Sequence, residues 1–265
     1  MNNKFLRGIS VILIATIFFS TGIFLKVHSK MELENNDIPV EDIEELLNNE
    51  ESLDKNKETE ELDVKKLTLA DAPEGYYDDV LFIGDSRSVG LKTYAPKEGA
   101  TYFVSEGLNV YKLDEQLLNV DNIGKTTLKD LLKNNKFGKI YIMLGINELG
   151  YDFDTNCIKY KQLISLIKEL QPESIIVIHG NLRVTKEKSD SDKLFNNTNI
   201  NKFNEAISKF ADNINTIYID VNPIFDDGQG NLNSEYSGDN VHLYGNYYAD
   251  WSKWLDANAV VREAS

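Results

Sequence analysis

Val80-Leu81-Phe82-Ile83-Gly84-Asp85-Ser86-Arg87 is the stretch on which the fold turns. Four apolar residues in a row, with no polar alternation, read as a strand buried on both faces. Gly84, Asp85 and Ser86 then end the run with a turn residue and two residues favoured at helix N-termini. A strand that feeds a helix is half of a β-α-β unit, and the pattern recurs downstream. Strands are expected at 80–83, 101–104, 140–144, 175–179 and 216–221, with helices near 87–94, 126–134, 158–170 and 200–211 between them. A last helix from about 245 to 257 carries Trp251 and Trp254 toward the core. This alternation predicts an α/β fold: a three-layer sandwich whose central parallel five-stranded sheet is flanked by helices on both faces. Ligands of such sheets gather beyond the carboxyl ends of the strands, which is where Ser86 stands.

A serine hydroxyl is a poor nucleophile at neutral pH. It needs an imidazole to take its proton and a carboxylate to hold that imidazole in the right tautomer. The chain has three histidines. His28 lies beside an N-terminal apolar segment, and His179 ends a strand with no carboxylate within several residues, which suits a pocket-lining or hydrogen-bonded role. His242 alone has an aspartate, Asp239, three residues before it. Ser86, His242 and Asp239 are therefore the candidate nucleophile, base and orienting carboxylate. Each residue also has a structural reading, since Gly-Asp-Ser can serve only as a helix entry and Asp239 only as a loop cap.

Gly84-Asp85-Ser86 resembles the first block of the SGNH hydrolases, also called the GDSL family. Three further blocks resemble the rest of that family's pattern: Gly107 in Ser105-Glu106-Gly107-Leu108-Asn109, Asn147 in Gly145-Ile146-Asn147-Glu148, and Asp239-Asn240-Val241-His242. They occur in the family's order over about residues 76–260. The resemblance implies a flavodoxin-like sheet and an oxyanion hole made by the backbone N–H groups of Ser86 and Gly107 and the side-chain amide of Asn147. It also implies two-step acyl transfer without a cofactor or metal. Its substrate would be an ester, for an exported member the O-acyl groups of a cell-envelope glycan. O-acyltransferase, lipase or thioesterase activity on the same fold are the alternatives, with a non-enzymatic surface-binding module behind them. Glu148 departs from the family, which usually has Asp there, and this raises the question of how that loop is braced.

The rest of the 265 residues divides by composition. Residues 9–25 are uncharged and mostly apolar, and Lys4 and Arg7 precede them. The run is near the short end of the roughly 17 to 25 residues that span a bilayer, so a single-pass anchor with its positive end inside is expected. A cleaved signal peptide is the alternative. Residues 1–30 are thus read as anchor or signal, 31–75 as an acidic linker and 76–265 as the catalytic domain. The linker has 16 acidic and 4 basic residues and so carries −12 of the chain's net −15. Self-repulsion in such a segment favours an extended spacer. The charge has the wrong sign for nucleic-acid binding. Asp226-Asp227-Gly228-Gln229-Gly230-Asn231 lacks the closing glutamate of an EF-hand and is read as a turn, not a calcium loop. The single cysteine, Cys157, cannot form an internal disulfide.

Overall fold

The computed structural model describes residues 66–113 and 115–263. The apolar run 9–25 and the acidic segment up to residue 65 lie outside the described residues. Among those described, no helix is long and apolar enough to cross a membrane.

In chain order the elements are β1 (Leu67–Ala70), β2 (Val80–Gly84), α1 (Ser86–Tyr94), β3 (Thr101–Val104), β4 (Leu118–Val120), β5 (Gly124–Thr126), α2 (Leu128–Asn134), β6 (Lys139–Met143), α3 (Phe153–Leu170), β7 (Ile175–His179), α4 (Lys186–Ser191), α5 (Asn197–Ser208), β8 (Thr216–Ile219), α6 (Tyr248–Ala257) and β9 (Ala259–Arg262). The five expected strands form one sheet in the order β3-β2-β6-β7-β8, every pair parallel. The chain runs from β2 outward to β3 and then returns to β6 on the other side. The switch point of this doubly wound sheet therefore lies between β2 and β6, where such folds open a ligand crevice.

Side chains of each strand alternate between two cores. Leu81 and Ile83 of β2 join Ile140, Ile142, Ile176 and Ile178 in a layer covered by Leu131, Tyr160, Ile164 and Phe203. Val80 and Phe82 face the opposite layer with Tyr141, Val177, Leu91, Tyr248 and Trp251. All five residues of β2 are buried, as the unbroken apolar run requires when both faces of a sheet are covered.

Several boundaries move for local reasons. α3 starts at Phe153, five residues before the expected start, because Asp152 caps it by accepting the Thr155 N–H at 2.9 Å. α2 starts two residues late because Thr126 is spent in the β4–β5 hairpin and Thr127 is the cap. Residues 67–70, assigned from composition to the acidic linker, instead form β1, which pairs antiparallel with β9, Leu67 opposite Arg262 and Ala70 opposite Ala259. This pairing joins two segments almost two hundred residues apart, so nothing local announces it.

Tyr76 fastens that two-stranded ribbon to the main sheet. Its buried hydroxyl donates to Val260 O at 3.0 Å, accepts from Val260 N at 2.8 Å and lies 2.7 Å from the Tyr141 hydroxyl of β6. Tyr76→Phe leaves a buried N–H, a carbonyl and a hydroxyl short of a partner. It should lower the unfolding free energy by about 2 kcal/mol, read as a lower urea midpoint with an unchanged m-value.

Candidate active site

Ser86 is the first residue of α1, immediately beyond the carboxyl end of β2, which lies between β3 and β6. Asp85 is the N-cap, its Oδ1 accepting the Arg87 N–H at 2.9 Å. The turn is tight enough that a Cβ on Gly84 would lie 2.0 Å from Ser88 Oγ and 3.1 Å from the Met143 carbonyl. Only glycine lets α1 start this close to β2 and β6. At such a start the Ser86 N–H has no intrahelical acceptor and points with the positive end of the helix dipole.

Ser86 Oγ lies 2.8 Å from His242 Nε2, and His242 Nδ1 lies 2.7 Å from Asp239 Oδ2. A carboxylate only accepts, so Nδ1 carries the ring proton and Nε2 of the neutral ring is left as the acceptor for the serine hydroxyl. Asp239 Oδ1 also accepts the Val241 and His242 backbone N–H groups at 2.9 and 2.7 Å. Burial alone would push the Asp239 carboxyl up, but these three donors together hold it well below the usual carboxylate range. The three-residue spacing is thus a loop in which one carboxylate orders both the backbone and the ring of His242.

That loop is pinned from two sides. Thr185 N donates to Asn240 O at 3.0 Å, and Thr185 Oγ1 donates to Asn240 Oδ1 at 2.9 Å. Val241 packs against the small apolar cluster of Ile146, Val184 and Ile200. Ile146 immediately precedes Asn147, so the cluster ties the histidine loop to the Asn147 turn.

Gly107 and Asn147 stand beyond the ends of β3 and β6, the two neighbours of β2. Gly107 is exposed, with φ +67° and open space where a Cβ would be; glycine is required there by the backbone conformation, not by crowding. The Asn147 amide donates to Leu108 O at 3.0 Å, tying the two loops together and leaving its second N–H for another acceptor. Ser86, Gly107 and Asn147 each follow the end of a strand, β2, β3 and β6, as the sequence reading expected.

It missed the supports. Asp85 and Arg87 are both fully buried beneath Ser86. Burial raises the Asp85 carboxyl, an effect opposed by the Arg87 guanidinium and backbone N–H and by His242. Alternation in the helix period could have flagged Arg87 as inward-facing, but a charged residue is normally read as solvated. His179 is buried; its Nδ1 donates to Gly180 O at 2.9 Å, and it lines a small cavity beneath α1 with Ser88, Met143 and Trp251. Burial lowers its pKa to about 4, so it is a neutral core residue, as its surroundings in sequence had indicated. The 226–231 loop is a turn in which Asp226 accepts from Gly228 N and pairs with Arg183 at 2.9 Å.

A serine, an imidazole and a carboxylate hydrogen-bonded in line at the switch point of a doubly wound sheet define the hydrolase class of this fold. Residues 82–249 match the model of the GDSL-like Lipase/Acylhydrolase family. The chain belongs to that family and is a hydrolase of ester bonds. Among solved structures, a GDSL-like lipase from Bacteroides thetaiotaomicron VPI-5482 is 16% identical, with 69% of this chain and 88% of that one covered and a TM-score of 0.52. A Bacteroides fragilis NCTC 9343 protein provisionally named an acylhydrolase is 14% identical over 71% of this chain and 88% of its own, TM-score 0.52. A Streptococcus pneumonia protein provisionally named a platelet activating factor is 22% identical, covering 67% and 81%, TM-score 0.51. No curated protein matches the chain in sequence.

Glu148 answers the question its extra methylene raised. The carboxyl is fully buried, and Oε1 accepts the Val110 N–H at 2.8 Å, bracing the Gly107 loop from the Asn147 turn. Oε2 is buried without a hydrogen-bond partner among the described residues. Burial pushes its pKa up to about 7; the Val110 N–H opposes this and the Asp85 carboxyl adds to it. In the unfolded chain the group ionises near 4.5, so between those values the folded state holds more protons and stability falls as pH rises. Glu148→Gln keeps the acceptor and removes the titration. Relative to wild type its unfolding free energy should improve by about 2.5 kcal/mol between pH 5 and pH 8, measured by urea titration at both.

Proposed function

We propose that this chain is an exported serine esterase that removes short O-acyl groups, O-acetyl above all, from a cell-envelope carbohydrate. The observation that carries the serine mechanism is the unbroken line of hydrogen bonds from Ser86 Oγ through His242 to Asp239. Ser86 attacks the ester carbonyl while Nε2 of His242 takes its proton. Asp239 stabilises the imidazolium without taking a proton itself. The tetrahedral oxyanion is met by the N–H groups of Ser86 and Gly107 and the remaining N–H of Asn147. Donors held in place by loops braced in advance are effective because they need not reorganise as the charge forms. The imidazolium returns its proton to the leaving alcohol, and water then repeats the sequence on the acyl-enzyme.

The openness of the site supports a small acyl group on a bulky polar alcohol. The His242 and Asp239 side chains are 40% and 57% exposed, so the reacting centre meets solvent directly. That geometry admits water as acceptor and lets a large glycan approach without entering a tunnel. Export is supported by the basic-then-apolar N-terminus, Lys4 and Arg7 before residues 9–25, and by the acidic segment that follows. Such a segment would hold the catalytic domain off an anionic surface.

On p-nitrophenyl acetate, Ser86→Ala and His242→Ala should each lower kcat by at least about 10,000-fold, and Asp239→Asn should keep roughly tenfold or more above them. Asn147→Ala should cost about a hundredfold in kcat with little change in KM. Substantial turnover by folded, cleanly purified Ser86→Ala would reject the nucleophile.

A further inference from the structure

Two tyrosines belong to the loops that carry the proposed oxyanion residues, Tyr111 four residues after Gly107 and Tyr151 four after Asn147. Tyr111 and Tyr151 are stacked, ring centroids 4.7 Å apart and 26° from parallel. Tyr151, the outer ring, is 55% exposed. Neither is held by chance packing. The Tyr111 hydroxyl donates to Asn156 Oδ1 at 2.6 Å, and Asn156 Nδ2 donates to Glu148 O at 2.8 Å. Tyr151 N donates to that same Glu148 carbonyl at 2.8 Å. Tyr111 N donates to Asn109 Oδ1 at 3.1 Å, and Asn109 Nδ2 to Gly107 O at 3.2 Å. One ring thus hangs on the Gly107 loop and the other on the Asn147 turn, and the stacked pair is rigidly indexed to both proposed oxyanion donors.

We infer that the outer face of Tyr151, backed by Tyr111, is a subsite that stacks a neutral pyranose ring of the glycan adjoining the scissile ester. This rests on the glycan-esterase reading above. A nearly parallel pair offers a single flat aromatic face. A quaternary ammonium group is held by several faces converging from different directions, which this pair does not supply. A pyranose presents a flat patch of C–H bonds edged by hydroxyls, and the polarised C–H groups suit the electron-rich ring face of a tyrosine. Glu106 beside Gly107, and Asp152 and Asp154 at the N-cap and first turn of α3 just after Tyr151, are all exposed and disfavour an acidic sugar or a phosphate headgroup there. A rigid aromatic loses little entropy on binding, so the interaction contributes affinity at small cost.

The test compares wild type with Tyr151→Ala, Tyr151→Leu and Tyr151→Phe on O-acetylated oligosaccharides of neutral pyranoses and on p-nitrophenyl acetate, which has no sugar. The quantity read is the ratio of kcat/KM on glycan to kcat/KM on the small ester. Ala and Leu should lower that ratio about tenfold, mainly through KM, whereas Phe, which keeps the flat face, should hold it within about twofold. The exposed position lets each variant fold, and two non-aromatic replacements guard against the loss of one. Wild-type glycan turnover with an unchanged ratio in Ala and Leu overturns the subsite and leaves the glycan reading intact. A ratio that falls as far in Phe as in Ala makes the hydroxyl the contact and also overturns stacking. Activity on the small ester with none on any acetylated oligosaccharide overturns the glycan reading and the subsite together.

Discussion

The close approach of α1 to the end of β2 is the constraint on which the rest of the site depends. A nucleophile at a helix start is useful only if the helix begins within a residue or two of the buried strand. Here the missing side chain of Gly84 admits Ser88 and the Met143 carbonyl to the same space. The Asp85 carboxyl then ends the strand and begins the helix in one step by capping Arg87 N. A Cβ at position 84 would overlap Ser88 in the first turn of α1, so the helix could not start this close to the strand. The whole sheet participates, because β2 is held on both sides by β3 and β6 and cannot yield.

The other groups reach Ser86 by being fastened to one another more than to the sheet. Val241 and Ile146 share one apolar cluster, Asn147 bonds to Leu108 O, and Glu148 holds Val110 N. Three loops from distant parts of the chain therefore behave as one body. Rigidity of this kind is what the proposed oxyanion donors require, since a donor that must reorganise loses most of its advantage. It has a cost in polar burial: Glu148 and Asp85 are both fully buried, and burial raises the pKa of each carboxyl. Glu148 thus braces the Gly107 loop with a carboxyl that burial shifts toward neutral pH.

Against this fixed interior the rim is open. His242 and Asp239 are substantially exposed, and Tyr151 presents an aromatic face to solvent. For the proposed serine mechanism, an exposed reacting centre leaves selectivity to rim contacts of this kind.

Periodicity in the sequence sufficed for the five parallel strands and the helices between them; residue chemistry and local spacing nominated Ser86, Asp239 and His242, and the family resemblance nominated Gly107 and Asn147. Buried strands of a doubly wound sheet are unbroken apolar runs, and residues placed just after such runs fall on one sheet edge whatever the details of packing. The Asp239-to-His242 spacing was equally legible because that contact is made within a single turn of loop. What only the tertiary structure decided involves partners far apart in the chain: β1 pairing with β9, the 156-residue separation closed by the Ser86–His242 bond, Glu148 bracing Val110, and Tyr111 stacking on Tyr151. A one-dimensional pattern records which side chains are apolar and how often they recur. It does not record which loop meets which, because that follows from the order in which the strands are laid into the sheet and from the buried polar groups that must then find one another.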